Sequence, residues 1–361
     1  SKKKAYAYLI DSGLKMNNQF TLYNLYIVSE APIFAPFDCS LFFAGFNSLV
    51  SINYNDNFNT SKVTNMSYMF LPATPGNWSS VVTLTASIEN AKPSFLVKTN
   101  DSKIEMMGAP VGEGLYSVIE KLDLSSFNTS NVTNMRGMFY GSSSLTGLDL
   151  SNFNTSVVTN MYGMFYYCPS LTSLDLSNFN TSIVTNMDFM FYWCSSLTSL
   201  DLNSFNTSKV TNMGDMFFNC SSLTNLKLSS FNTSNVTVMG SMFDGCSSLT
   251  NIDLSNFNTI SVTDMSSMFD TCENLINLDL SNFNTSSVTD MSRMFYRCTK
   301  IQVEIAIMNQ NMASYSGMFT GGALNDENAY AIISYTTDTQ SIAETIKNKC
   351  DRPSKITLKQ I

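Results

Sequence analysis

Residues Leu148–Ser173 read LDLSNFNTSVVTNMYGMFYYCPSLTS, and variants of this 26-residue unit open at Leu122, Leu148, Leu174, Leu200, Leu226, Ile252 and Leu278 without an insertion between them. A fixed period of this length belongs to solenoids, propellers and arrays. Within the unit, Leu148 and Leu150 alternate as in a strand, and Phe153 follows. Val158, Met161, Met164 and Phe165 then recur at a spacing that predicts one face of a short helix or 3-10 segment. Thr155 and Ser156 stand where hydroxyls would cap its first backbone N–H groups. One such unit cannot bury its own apolar face. Ordering each residue costs about 1–2 kcal/mol of backbone entropy, whereas a large buried side chain returns about 1.5–3 kcal/mol. Stacked copies supply the missing neighbours, so like residues should lie over like residues in one continuous core. The fold expected is a repeat solenoid, leucine-rich-repeat-like, with a parallel β-sheet on one side and short helical or 3-10 segments on the other.

The pattern LxxLxLxxF followed by NTSxVTNMxxMF resembles the BspA-like surface-protein repeat, a relative of leucine-rich repeats. It covers residues 122–303 fully and parts of 41–70 and 304–320. The resemblance implies a solenoid with a parallel sheet, in proteins displayed on bacterial, protist or virion surfaces and used for adhesion.

Outside the seven copies (residues 119–303) the chain divides into four stretches. Residues 1–37 carry AYAYLI and FTLYNLYIV as strands joined by a turn at Met16-Asn17-Asn18, a β segment or anchoring arm. Residues 38–70 are degenerate repeats, with one extra residue and hence a bulge expected between Ile52 and Phe58. Residues 71–118 form an insertion containing strand-like SVVTLTASI and SFLVKT. Insertions in solenoids fall on one face, often the binding face. After Val303, residues 304–361 read as a frayed repeat and a C-terminal cap, with helices over 326–335 and 338–350 and KITLKQI as a last strand.

Composition narrows the chemistry. The 361 residues carry a net charge of −8 and only 13% charged side chains, with no basic cluster beyond Lys2-Lys3-Lys4. Phosphate binding needs concentrated Lys and Arg, so no nucleic-acid partner is expected. No histidine is present, which removes His-based triads and most zinc sites. Nothing suggests a cofactor or a metal, and no apolar run of about 20 residues predicts membrane insertion. Ser1-Lys2-Lys3-Lys4 followed by AYAYLI mimics an export signal but stops at Asp11, too short for one. Six of the eight cysteines share one column (Cys168, Cys194, Cys220, Cys246, Cys272 and Cys298) and are expected as reduced, buried thiols, Ser142 taking the place in the first copy.

Two constellations are candidate sites. The column between the paired leucines holds Asp123, Asp149, Asp175, Asp201, Asp253 and Asp279, with Lys227 in the fifth copy. Stacked about 4.8 Å apart, these carboxylates would repel and raise one another's pKa, forming a weak cation track or a stripe for a basic partner. The favoured alternative has serine and threonine hydroxyls and backbone N–H groups satisfying each Asp. The recurring Asn128, Asn154 and their equivalents should form an amide ladder between copies. The positions that vary between copies are the second constellation: Tyr140, Tyr162, Tyr166, Tyr167, Phe189, Tyr192, Trp193 and Phe218. Large aromatics on neighbouring units form a patch of the kind that contacts protein or sugar. No nucleophile–base pair or phosphate loop stands out, so the expected role is non-enzymatic. The leading expectation is a solenoid displayed on a larger assembly, a bacteriophage virion component (decoration, tail or receptor-binding), contacting neighbouring subunits and a protein or glycan on a cell surface. The alternative is a bacterial or protist cell-surface adhesin whose signal was removed.

Overall fold

A computed structural model describes residues 5–16, 20–29, 33–35, 37–40, 49–53, 58–71 and 119–361. The protein is a parallel β-solenoid in which the copies stack as successive coils. A ladder of single parallel bridges runs along it, from Asp38 to Asn65, Asn134, Asn160, Asn186, Asn212, Val238, Asp264, Asp290 and Ser314. Short parallel strands form beside it, such as Ser199–Asp201 on Asn225–Lys227. The insertion leaves the stack unbroken, because Asn65 pairs directly with Asn134 and Phe70 stacks on Phe139 at 5.7 Å.

Like residues do lie over like residues. The column from Phe139 through Phe165, Phe191, Phe217, Phe243 and Phe269 to Phe295 stacks ring on ring with centroids 5.5–5.8 Å apart. Both methionine columns are wholly buried, as are the Leu145-to-Leu275 and cysteine columns. Each column thiol donates to a carbonyl of the preceding coil, for example Cys220 to Phe191 at 3.2 Å. The six column cysteines and Cys350 are free thiols. Burial pushes their thiols up, Cys194 to about 12, so they stay protonated.

The Met-x-x-Met-Phe stretch is not a helix but a staircase of tight turns. Its successive N–H groups alternate between the next coil and the coil's own carbonyls. Met161, Gly163, Phe165 and Tyr167 donate to Asn186, Asp188, Met190 and Tyr192, while Met164 and Tyr166 close i→i+3 turns onto Met161 and Gly163. The remaining N–H, that of Tyr162, donates to the Asn160 side chain at 2.9 Å. Every donor is thereby satisfied. Two residues per coil sit in the left-handed region, Gly163 and Tyr167 in this copy, Phe189 and Trp193 in the next. A residue at positive φ every four positions cannot continue a right-handed helix. The apolar spacing survives because tight turns of three bonds bring the same residues to the same side.

Thr155 does not cap a helix. Its hydroxyl donates to the Asn180 carbonyl at 3.0 Å and accepts from the Asn180 N–H at 2.8 Å. The same doubled bond repeats from Thr129 to Thr259. Nor do Asn154 and its equivalents form a ladder between coils. Asn154 Oδ1 accepts from the Ser156 N–H two residues on, the local turn this residue type favours. The amides that bridge coils stand two positions earlier, as Asn152 donating to the Leu124 and Phe127 carbonyls.

At the N-terminal end Ala5–Met16 pairs antiparallel with Phe20–Ser29, as the sequence predicts, and Leu49–Asn53 adds in parallel. The Asn17-Asn18 turn, residues 54–57 of the expected bulge and the insertion strands lie outside the described residues. The register shift that is described falls at Val50, between the Tyr23–Leu49 and Asn24–Ser51 pairs. The C-terminal cap corrects one expectation. Residues 330–335 are a strand, Tyr330–Tyr335, lying parallel between Gln302–Ile307 and Ile356–Gln360. Ala331 and Ile333 bury alternately, and this β-branched run fits a pleat better than a helix. The helix forms over Gln340–Lys349, burying Ile342, Ala343 and Ile346. Its N-cap is Thr339.

Candidate binding face

The variable positions of the staircase converge on one lateral face. Tyr140, Tyr166, Tyr192 and Phe218 stack directly, with centroids 4.3, 4.5 and 4.6 Å apart and rings within 9° of parallel. Tyr68 and Leu71 abut this stack from the preceding coil. Phe189 packs on Tyr162, Tyr166 and Tyr192 at 5.4–6.1 Å. Tyr167 lies 5.8 Å from Trp193. All eight aromatics singled out from the sequence are therefore neighbours. The stack shields itself: Tyr140 and Tyr166 are buried, whereas Tyr162, Tyr167, Phe189, Tyr192, Trp193 and Phe218 keep part of their surface in water. Burial raises the Tyr140 hydroxyl to about 12 and Tyr166 well above the ordinary tyrosine range, so both are neutral at physiological pH.

The same variable positions carry charge that the sequence reading passed over. At one end Arg136 lies 3.9 Å over the Tyr162 ring and donates to Tyr68 Oη at 2.6 Å. At the other end Arg293 lies 4.1 Å over Tyr296 and donates to Asp270 at 2.8 Å. Between them stand Asp188, Asp215 and Asp244. Desolvation raises their carboxyl groups first: Asp188 to about 7, Asp215 to about 6 and Asp244 to about 8. Neighbouring carboxylates add to each: Asp215 beside Asp188, Asp264 beside Asp215, and Asp270 beside Asp244. Gly214 and Gly240 leave room among these groups. A methyl group at Gly240 would come within 3.1 Å of Asp264 Oδ2, and one at Gly214 within 3.5 Å of Asp188 Oδ1. The aspartates were legible as departures from the consensus, in the same positions that yielded the tyrosines.

The outer aspartate column differs. Asp149, Asp175, Asp253 and Asp279 each accept from the backbone N–H two residues on, as Asp149 does from Ser151 at 3.0 Å. Serine hydrogen bonds hold these four carboxyl groups below the ordinary value. Of the two readings the sequence offers, mutual raising of pKa does not prevail, because local bonds to the charged form outweigh repulsion across solvent. Asp123 makes the same turn with Ser125, and Asp201 is held low first by its bond from Lys227, at 2.9 Å. No group of three acidic or cysteine side chains among the described residues is arranged to hold a metal ion.

A continuous apolar spine with a separately varied lateral surface defines a repeat solenoid built for a structural or binding role. The chain belongs to the family described as Mycoplasma protein of unknown function, DUF285, which matches residues 38–95, 113–227 and 218–331. No curated protein is significantly similar to it. Among the described residues no helix is long and apolar enough to cross a membrane.

Proposed function

We propose that this chain is a non-enzymatic binding protein, displayed on a surface, whose lateral face from Tyr140 to Phe218 contacts a protein or glycan. The observation that carries this is the aromatic stack. The spine already buries its methionines and phenylalanines completely, so large rings at variable positions are not needed to close the core. They gather on one face nonetheless, with six of them partly in water. Aromatic anchors of this kind dominate contact energies. The resemblance to BspA-like repeats supports an adhesive role. Two placements follow. A virion surface accords with buried, reduced cysteines. A cell surface accords with the family's description from Mycoplasma, a cellular source.

Labelled full-length chain applied to intact cells and to immobilised glycans tests the reading. The paired change Tyr192→Ala and Trp193→Ala, with the melting profile still cooperative, should lower binding at least tenfold. Undiminished binding by that variant would remove the aromatic face as the contact. Antibody labelling of intact cells and of purified particles separates the two placements.

A further inference from the structure

The two ends of the solenoid treat their outermost strands differently. At the C-terminal end Ile356–Gln360 pairs with Tyr330–Tyr335, and its outer edge is blunted. It is 5 residues long, carries Lys359, whose ammonium lies 2.8 Å from Glu304, and packs beside the Gln340–Lys349 helix. Short length, lysine and helical cover all keep sheet edges from pairing with other chains. At the N-terminal end Phe20–Ser29 is paired on both sides, with Ala5–Met16 and with Leu49–Asn53. Ala5–Met16 itself is 12 residues long and has no second neighbouring strand among the described residues. Consecutive pairs run from Ala5–Ser29 to Asp11–Tyr23 before the register shifts. Along that stretch every second residue turns its N–H and C=O away from Phe20–Ser29. The register shift and the charges of Asp11 and Lys15 blunt the far half of the strand. The near half, Ala5–Ile10, reads AYAYLI and holds no charge, proline or glycine.

The same residues point to the occupant of this edge. Antiparallel pairing of two identical strands is related by a two-fold axis, the commonest symmetry of homo-oligomers. AYAYL reads nearly alike in both directions about Ala7. With Ala7 opposite Ala7, Tyr6 stands opposite Tyr8 and Ala5 opposite Leu9, so aromatic meets aromatic and small meets large in cross-strand pairs. Lys2-Lys3-Lys4 precedes this segment in the sequence and Asp11 follows it. Antiparallel copies bring the basic end of one to the acidic end of the other, whereas parallel copies bring the lysines together. We propose that Ala5–Asp11 pairs antiparallel with the same segment of a second copy, joining two solenoids through one continuous sheet. Such a dimer carries two lateral faces, so a clustered target is held by both. The dimer stands or falls independently of what that face contacts.

The test uses the full chain carrying single cysteines, oxidised with diamide and read on non-reducing gels. Ala7→Cys should link to itself across the two-fold, where paired Cα atoms lie about 4.5–5.5 Å apart, within the reach of a disulfide. Ala5→Cys alone and Leu9→Cys alone should not link, because each stands four residues, roughly 13 Å, from its own counterpart. Mixed together, those two variants should link to one another. Sedimentation velocity of the unsubstituted chain should show a monomer–dimer equilibrium. Asp11→Lys, with its melting profile unchanged, should weaken that equilibrium at least tenfold. Ala7→Cys linking no faster than the unsubstituted chain, or equal linking of all three single variants, overturns the assignment. So does an Asp11→Lys variant that folds and dimerises as the unsubstituted chain does. A chain that stays monomeric at every concentration also overturns it, and leaves Ala5–Met16 as an arm covered by other residues of the chain or by another protein.

Discussion

Asp244→Asn should stabilise this protein at alkaline pH and do little at pH 4. The Asp244 carboxyl is raised from 3.8 to about 8, first by desolvation, then by Asp270, with Arg293 opposing and Asp215 adding. A carboxyl whose folded pKa exceeds its unfolded one holds more protons folded than unfolded between the two values. Stability is then complete below the unfolded value and falls as pH climbs through the window from about 4 to about 8. At about 1.4 kcal/mol per unit the full shift corresponds to roughly 5–6 kcal/mol. The side chain is only partly withdrawn from water, and the proton is shared with neighbours, so screening reduces this to roughly 2–3 kcal/mol. Asparagine has the same shape and no charge, so it removes the penalty. Urea unfolding at pH 9 should place the variant about 2 kcal/mol above the native chain, and the two should converge toward pH 4. The native chain should also gain stability on acidification from pH 9 to pH 6, with Asp188 and Asp215 contributing in the same direction. Loss of stability over that interval, or a variant weaker than the native chain at pH 9, would refute the placement of these carboxyl groups in a low-dielectric face.

Three further changes probe the spine and the charges. Thr207→Val leaves the Asn232 N–H and carbonyl, bonded to that hydroxyl at 2.8 and 2.9 Å, without partners, and should cost roughly 2–4 kcal/mol in urea unfolding. Arg293→Ala strands Asp270, whose side chain is 3% exposed, and should cost about 1–3 kcal/mol. Lys227→Ala breaks a pair 54% exposed on both sides and should change stability by less than about 1 kcal/mol. Titration with a thiol-reactive disulfide at pH 8 should leave the six column cysteines unmodified in the native chain and find eight free thiols after denaturation.

The spine was legible because its signal is redundant. Seven copies of Leu, Met and Phe, with Cys in six of them, in fixed register admit one arrangement, and burial of every column follows from the need of each copy for neighbours. The staircase was not legible. Val158, Met161, Met164 and Phe165 have helical spacing, but the backbone hydrogen bonds decide the conformation, and these alternate between coils. Gly137, Gly163 and Gly317 hinted at a left-handed residue, but the same position holds Phe189, Asp215 and Ser241 in the copies between. The strand at Tyr330–Tyr335 was missed because AYAIISY has the length and apolar content of either element, and the neighbouring strand Gln302–Ile307 decides it. On the candidate face the aromatics were legible as departures from the repeat. The aspartates beside them stand in the same variable positions, but their raised carboxyl groups were not legible, since that effect depends on lying next to one another across three coils.

The arrangement separates two demands that compete in most small domains. Alternate backbone donors in the staircase stretch and every large side chain of the consensus serve the stack, so each coil is held by its neighbours irrespective of its variable letters. The residues at those letters are then free to be unfavourable. Phe189, Trp193 and Asp215 occupy left-handed backbone, which costs about 1–2 kcal/mol for a residue with a Cβ, and Asp188, Asp215 and Asp244 bring carboxylates out of water. A face that loses stability at five positions side by side, on a scaffold where glycine or serine stands at the positions equivalent to Phe189, Trp193, Asp188 and Asp215 in other coils, is not explained by folding. Its composition makes sense if a ligand returns the lost free energy on binding. Replacing Phe189 with the glycine and Asp215 with the serine found in neighbouring copies should accordingly raise stability and lower affinity together. A variant that gained stability and kept its affinity would show that the face is decoration.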